Sequence, residues 1–162
     1  MAFCRAYSLI LFVGVLLLML TNPFFLKNGE KLIIPITKDV TKMRKILISD
    51  DSVSIRQMLK LTLTEANYSV TEANNGMQAL ELAKTHQFDL IITDINMPLL
   101  DGLSLVRELR ALPAYQFEPI LLLTTETDPQ KKKMAKAAGA TGWIIKPFDP
   151  DKLLAAIRKV LR

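Results

Sequence analysis

From Arg44 onwards, short apolar runs of strand length alternate with longer amphipathic segments of helix length. Most of the short runs are mainly apolar, as in strands buried on both faces, whereas apolar positions in the longer segments recur at helical spacing. The runs predict strands over 45–48, 68–71, 88–93, 119–123 and 142–145. The segments after them predict helices over 53–66, 77–86, 102–112, 129–139 and 151–161. Five strands alternating with five helices favour an α/β fold with a parallel sheet covered on both faces.

Local signals support the helix boundaries. Asp128-Pro129 and Asp149-Pro150 each place an N-cap residue before a proline, which is well suited to the first helical position. The first helix has its recurring positions at Val53, Ile55, Met58, Leu59, Leu61, Thr62 and Ala66.

The first 42 residues differ from the rest of the chain. Leu9 to Leu20 is an unbroken apolar run, but as a helix it would span only roughly 18 Å of a hydrocarbon core about 30 Å thick. No small-residue cleavage site follows it, which weakens a signal-peptide interpretation. A membrane anchor lengthened by the apolar residues that follow is one alternative. The interpretation we favour is that Met43 is the real start and that 1–42 is a mis-assigned extension, with 43–162 as the functional domain.

Composition limits the classes of function. The net charge is +5, but the extension holds five basic and only two acidic residues, so the domain itself is weakly basic. It has no arginine-rich stripe, and we therefore expect no nucleic-acid partner. Cys4 is the only cysteine, which excludes an intrachain disulfide framework and fits a reducing, cytoplasmic compartment, with a membrane tether left open.

Polar side chains follow four of the predicted strands at the point where each ends. Asp50 and Asp51 follow the first strand, Asp94 the third, Thr124 the fourth and Lys146 the fifth. The carboxyl ends of parallel strands with right-handed crossovers lie at one edge of the sheet, where ligands of such folds bind. We therefore expect these side chains to converge.

Clustered carboxylates repel each other unless a cation compensates them. Oxygen ligands with few carboxylates suit Mg²⁺, so the sequence predicts a Mg²⁺ cofactor. Phosphorylation of Asp94 would replace one negative charge with roughly two. The hydroxyl of Thr124 could then move toward the new acceptor oxygens and bias a two-state element.

Four segments resemble the bacterial response-regulator receiver family over residues 43–162, and most closely its single-domain chemotaxis (CheY-like) members. They are ILISDDS, DLIITDINMPLLDG, LLLTTET and GATGWIIKPF. The resemblance implies a flavodoxin-like, doubly wound sheet with strand order 2-1-3-4-5. It also implies a switch that accepts a phosphoryl group from a histidine kinase or phosphotransfer domain.

The resemblance assigns roles to individual residues. Asp94 would be the phosphoacceptor and a Mg²⁺ ligand, Asp51 a direct ligand, and Asp50 a ligand acting largely through water. The backbone carbonyl of Asn96 would complete the protein ligands. Lys146 would contact the phosphoryl group, oriented by a cis peptide bond before the next proline.

Further positions concern the switch and its lifetime. Thr124 would be the switch hydroxyl, and Trp143 stands where the family has Tyr or Phe as the aromatic that rotates on activation. Asn96 and Glu126 resemble the pair that tunes dephosphorylation in chemotaxis receivers, which predicts a short-lived phosphoryl group. The downstream target would be a protein such as the flagellar motor switch.

Two other functions stay open. One is a Mg²⁺-dependent phosphohydrolase with Asp94 as nucleophile, which Asn96 disfavours because it stands where a second catalytic Asp would be expected. The other is a membrane-tethered adaptor independent of phosphorylation. Outside the site, we interpret His86 as structural. The basic run of the fourth helix is interpreted as a solvated face or, less favoured, a patch for an acidic partner; it comprises Lys131, Lys132, Lys133 and Lys136.

Overall fold

A computed structural model of the protein describes residues 43–125 and 129–161. Its strands are β1 Lys45–Ser49, β2 Ser69–Ala73, β3 Leu90–Asp94, β4 Ile120–Thr124 and β5 Gly142–Ile145. Its α-helices are α1 Val53–Glu65, α2 Gly76–Thr85, α3 Gly102–Ala111, α4 Pro129–Ala138 and α5 Pro150–Val160. A short 3₁₀ turn, Pro113–Tyr115, follows α3.

The strands form one parallel sheet in the order β2-β1-β3-β4-β5, which confirms the predicted topology. The chain crosses from β2 over β1 to β3, so the order reverses at the β1–β3 pair, where open sheets of this kind bind ligands. The register places Ser49 of β1 opposite Thr93 of β3, immediately before Asp50 and Asp94.

Alternation along each strand divides the core into two layers. On one face Leu47, Ile91 and Leu122 pack against α2, α3 and α4, and on the other Ile48 and Ile92 pack against α1 and α5. Because both faces are buried, the strands need apolar side chains at successive positions. This explains the apolar runs of β1, β3 and β4.

Two strand boundaries differ from the sequence-based prediction by two residues, and the others agree to within one. β2 extends to Ala73, because Glu72 and Ala73 continue the pairing with the last residues of β1. β3 begins at Leu90 rather than Phe88. The Asp89 N–H still donates to the Lys45 carbonyl at 2.8 Å, but the Lys45 N–H donates to the Asp89 carboxylate at 2.7 Å instead of to a strand carbonyl. Phe88 is nevertheless buried.

The inward face of α1 was only partly predicted. Leu59, Thr62 and Leu63 are its buried residues, although Leu63 was not among the predicted positions. Val53 and Leu61 are 58 % and 61 % exposed. Apolar residues on both sides of this helix blur its periodicity, so spacing alone could not identify the face that packs on the sheet.

One of the two predicted helix N-caps lies in the described structure. Asp149 caps α5 by accepting the Lys152 N–H at 3.0 Å, as expected. Asp128, the expected cap of α4, lies outside the described residues. No helix within 43–125 and 129–161 is long and apolar enough to cross a membrane. The predictions about the extension 1–42, including an anchor or a later start, also fall outside the described part of the chain.

Candidate functional site

The acidic residues at the ends of β1 and β3 form one cluster. Carboxylate oxygens of Asp50, Asp51 and Asp94 lie within 4.8 Å of one another. Asp50 and Asp94 are buried, whereas Asp51 is exposed. The predicted convergence is therefore present, and the cluster presents the hard oxygen donors that a divalent cation such as Mg²⁺ prefers.

Lys146 brings the opposing charge from the end of β5. Its Nζ lies 2.5 Å from Asp50 Oδ2 and 3.0 Å from Asp94 Oδ1, and its side chain is only 11 % exposed. The Lys146 backbone N–H donates to the carbonyl of Thr124 at 2.7 Å. The peptide bond to Pro147 is cis, as the resemblance implied. The ammonium group is thus held directly over two of the three carboxylates.

Burial and charge shift the proton affinities of this pair. Burial raises the pKa of Asp94 above its ordinary value, because the upward effects of desolvation and of Asp50 outweigh the lowering by Lys146. Burial alone would lower the pKa of Lys146, but hydrogen bonds and charge attraction from Asp50 and Asp94 raise it overall. Lys146 therefore stays protonated at neutral pH.

The loop after β3 is held by close backbone contacts. The Gly102 N–H donates to the Ile95 carbonyl at 2.8 Å. A Cβ at Gly102 would lie 2.1 Å from the carbonyl oxygen of Asp94, so only glycine allows this approach. Asp101 caps α3 by accepting the N–H groups of Leu103 and Ser104, both at 3.0 Å.

The same loop contains Asn96 and a strained leucine. Leu99 has a φ of 69° and is 81 % exposed. Leu99 is the central residue of a three-residue turn, in which the Leu100 N–H donates to the Pro98 carbonyl at 2.8 Å. Asn96 lies two residues after Asp94 with an exposed side chain.

The two predicted switch residues occupy neighbouring strands. Thr124 is fully buried at the end of β4, and Trp143 of β5 pairs with Leu122, two residues earlier in β4. Trp143 packs against the core layer beneath α2, α3 and α4. Its Nε1 is buried without a hydrogen-bond partner in the described structure. Glu126 lies outside the described residues.

Sequence reasoning missed Arg56, which contacts the loop between β1 and α1. Its Nη1 donates to the backbone carbonyls of Asp50 at 2.8 Å and Asp51 at 3.2 Å. The only sequence signal was a basic residue one helical turn into α1. Every residue has a backbone carbonyl, so the spacing of side-chain types in the sequence could not reveal these contacts.

His86 makes only local side-chain contacts in the described structure, and most of the basic run of α4 is exposed. The Nδ1 of His86 lies 2.9 Å from Thr85 Oγ1, and its carbonyl accepts the Tyr115 hydroxyl at 2.7 Å. Of the basic run, Lys132, Lys133 and Lys136 are exposed and Lys131 is half-buried.

The chain is similar to known receiver proteins. A family model described as the response regulator receiver domain matches residues 46–158. The Vibrio cholerae chemotaxis protein CheY4 is 50 % identical, with a TM-score of 0.71 over 73 % of this chain and 98 % of CheY4. The receiver domain of the Pseudomonas aeruginosa sensor histidine kinase PA1611, solved with a magnesium ion in its active-site cleft, is 28 % identical; its TM-score is 0.69 over 74 % of this chain and 98 % of that one.

The curated relatives are longer. The response regulator ArlR of Staphylococcus aureus is 38 % identical over 120 residues, which is 74 % of this chain and 53 % of ArlR. The chain therefore spans about half the length of the curated relatives it matches.

We expect Asp94→Asn to stabilise the metal-free protein at pH 7. The raised pKa of Asp94 means that its ionised form is disfavoured in the folded state, so wild-type stability falls as pH rises through that pKa. Asparagine removes the charge while Asp50 still pairs with Lys146. Urea unfolding in a chelator should show a gain on the order of 1 kcal/mol, shrinking as pH falls toward about 4, where the ordinary carboxyl titrates.

The matched control is Asp51→Asn, which removes a carboxylate from the same cluster at an exposed position and should gain less. An Asp94→Asn variant that is less stable than wild type at pH 7, or whose gain does not depend on pH, would contradict this electrostatic interpretation.

Proposed function

The chain belongs to the response regulator receiver family of two-component phosphorelays, and from this we propose that it is a Mg²⁺-dependent switch phosphorylated on Asp94. The observation that carries the proposal is the cluster of three carboxylates within 4.8 Å facing the ammonium group of Lys146. Together they provide a nucleophilic oxygen, ligands for a divalent cation and a counter-charge for an incoming phosphoryl group.

The donor set fits Mg²⁺ rather than a softer metal. Asp50, Asp51 and Asp94 would hold the ion with the backbone carbonyl of Asn96, all through oxygen, and no sulfur or imidazole ligand belongs to the cluster within the described residues. A bound Mg²⁺ would neutralise charge on the phosphoryl oxygens. The magnesium ion in the cleft of PA1611 supports this assignment.

The chain's own residues divide the transfer between them. A carboxylate oxygen of Asp94 attacks the phosphorus of a phosphohistidine, the P–N bond breaks, and the imidazole of the donor histidine leaves. Lys146, already 3.0 Å from Asp94, contacts the transferred group as negative charge accumulates. Because its pKa is raised, it supplies this charge throughout the physiological pH range. Since histidine kinases are charged by ATP, we propose the cytoplasm as the compartment.

The switch would follow from the added charge. A phosphoryl group on Asp94 presents acceptor oxygens near the end of β4, toward which the hydroxyl of Thr124 would turn. Thr124 and Trp143 lie on the same face of adjacent strands by the alternation of β4 and β5. A shift of Thr124 would therefore change the packing of the indole, and α4 with β5 would transmit the signal to a protein partner.

Chemotaxis is the pathway we propose, with the flagellar motor switch as the target. The 50 % identity to CheY4 over nearly all of that protein supports it more strongly than the 38 % identity to about half of ArlR supports an ArlR-like role. Asn96 and Glu126 add to this, as the pair that would position the hydrolytic water.

We expect acetyl phosphate with Mg²⁺ to add one phosphoryl group to the protein, detected by intact mass. Asp94→Asn should take up none, since it lacks the nucleophilic oxygen, while Asp51→Asn should require far more Mg²⁺. An adduct that persists in Asp94→Asn, or that forms equally well in a chelator, would refute the assignment. Sustained turnover of small phosphate esters would instead favour a phosphohydrolase.

We expect the phosphoryl group to be short-lived, with a half-life of minutes or less, and Asn96→Ala to lengthen it severalfold because the hydrolytic water loses a partner. The decay of the phosphorylated protein after removal of acetyl phosphate measures the half-life in wild type and in Asn96→Ala. The control is Gln87→Ala. Gln87 is exposed and precedes β3, at the end of the sheet opposite the acidic cluster, so the half-life should stay unchanged. A wild-type half-life of hours would overturn the chemotaxis proposal.

A further inference from the structure

Arg56 holds the backbone that carries the acidic pair. Its guanidinium donates through Nη1 to the carbonyls of Asp50 and Asp51, at 2.8 and 3.2 Å. Its side chain is only 14 % exposed, so water competes weakly for these bonds. Both accepting carbonyls belong to the loop that connects β1 to α1.

These two contacts bracket a single residue. The carbonyl of Asp50 belongs to the peptide plane before Asp51, and the carbonyl of Asp51 belongs to the plane after it. Fixing both planes fixes φ and ψ of Asp51, and therefore the direction of its Cα–Cβ bond, which limits where its carboxylate can lie. Asp50 and Asp94 are positioned by Lys146 as well. In the described structure, the contacts that orient Asp51 are those of its backbone.

Arg56 is itself oriented from the neighbouring strand. Its Nε lies 3.8 Å from Glu72 Oε2, and Lys60 Nζ lies 2.5 Å from Glu72 Oε1. Glu72 belongs to β2 and pairs in register with Ile48 of β1. The sheet thus fixes Glu72, which places Arg56 against the loop.

We propose that Arg56 is a positioning residue that presets the Asp51 carboxylate for Mg²⁺, an inference that rests on the proposed function. Two effects of this side chain on Mg²⁺ affinity have opposite signs. Its positive charge repels an incoming cation, so loss of charge alone would tighten binding. Its hydrogen bonds order the ligand, so loss of the bonds weakens binding, as for other groups that orient metal ligands from outside the coordination sphere.

The test compares Arg56→Met with Arg56→Lys in full-length protein, with Mg²⁺ affinity measured by calorimetric titration. Methionine removes charge and donors. Lysine keeps the charge, but its compact ammonium on a shorter side chain cannot reproduce the planar guanidinium. We expect both variants to bind Mg²⁺ about tenfold more weakly than wild type. The rate of phosphorylation by acetyl phosphate at saturating Mg²⁺ should stay within about twofold, because the filled site restores the ligand geometry.

One control isolates the positioning effect. Arg44→Met removes an exposed arginine that pairs with Asp89 and should keep wild-type affinity. Should Arg56→Met fail to fold, Arg56→Lys together with Glu72→Gln carries the test, and Glu72→Gln should also weaken Mg²⁺ binding.

The outcomes separate this inference from the proposed function. Tighter binding by Arg56→Met with unchanged binding by Arg56→Lys would show a charge effect only and overturn the positioning role. Unchanged affinity in both variants, or an equal loss of affinity and of rate at saturating Mg²⁺, would also overturn it. Wild-type protein that binds no Mg²⁺ and accepts no phosphoryl group would contradict the proposed function instead.

Discussion

The site depends on one interaction, the ion pairing of the Lys146 ammonium group with the carboxylates of Asp50 and Asp94. Two buried carboxylates so close to a third would otherwise repel each other, and protonation would remove the nucleophile and the metal ligands that we propose. The Lys146 ammonium group offsets part of the repulsion between Asp50 and Asp94 and holds these two carboxylates close together. The pKa of Asp94 nevertheless stays raised, so a divalent cation would stabilise the ionised form of Asp94 further.

Parallel strand topology brings these charges together. Asp50, Asp94 and Lys146 are far apart in sequence but lie at the ends of β1, β3 and β5, whose carboxyl ends share one edge. Two apolar layers hold the strands in register. The close contact of Gly102 with the Asp94 carbonyl folds the next loop back over the site. Any shift in strand register would move a carboxylate from the cluster, so core packing and site geometry are coupled.

Much of this could be predicted from residue types. Strand-length apolar runs ending in Asp50, Asp94 and Lys146 were enough to place those side chains at one edge, because parallel topology leaves little choice. The order of the strands needed the family resemblance. The inward face of α1 was misjudged, since Val53 and Leu61 are apolar yet exposed.

What escaped prediction depends on backbone geometry. Arg56 donates to backbone carbonyl groups, and the Nε1 of Trp143 is buried without a hydrogen-bond partner in the described structure. Neither follows from spacing. The unpartnered N–H costs free energy in this conformation, which would favour movement of the indole in the switch that we propose.

The most direct measurement is the Mg²⁺ affinity of Lys146→Met compared with wild type at fixed ionic strength. If the ammonium and the divalent cation compensate the same carboxylates, removing the ammonium should tighten Mg²⁺ binding severalfold, since one repulsive charge is lost. Equal or weaker Mg²⁺ binding by Lys146→Met, with the fold intact by circular dichroism, would contradict the claim that the two cations share one acidic site.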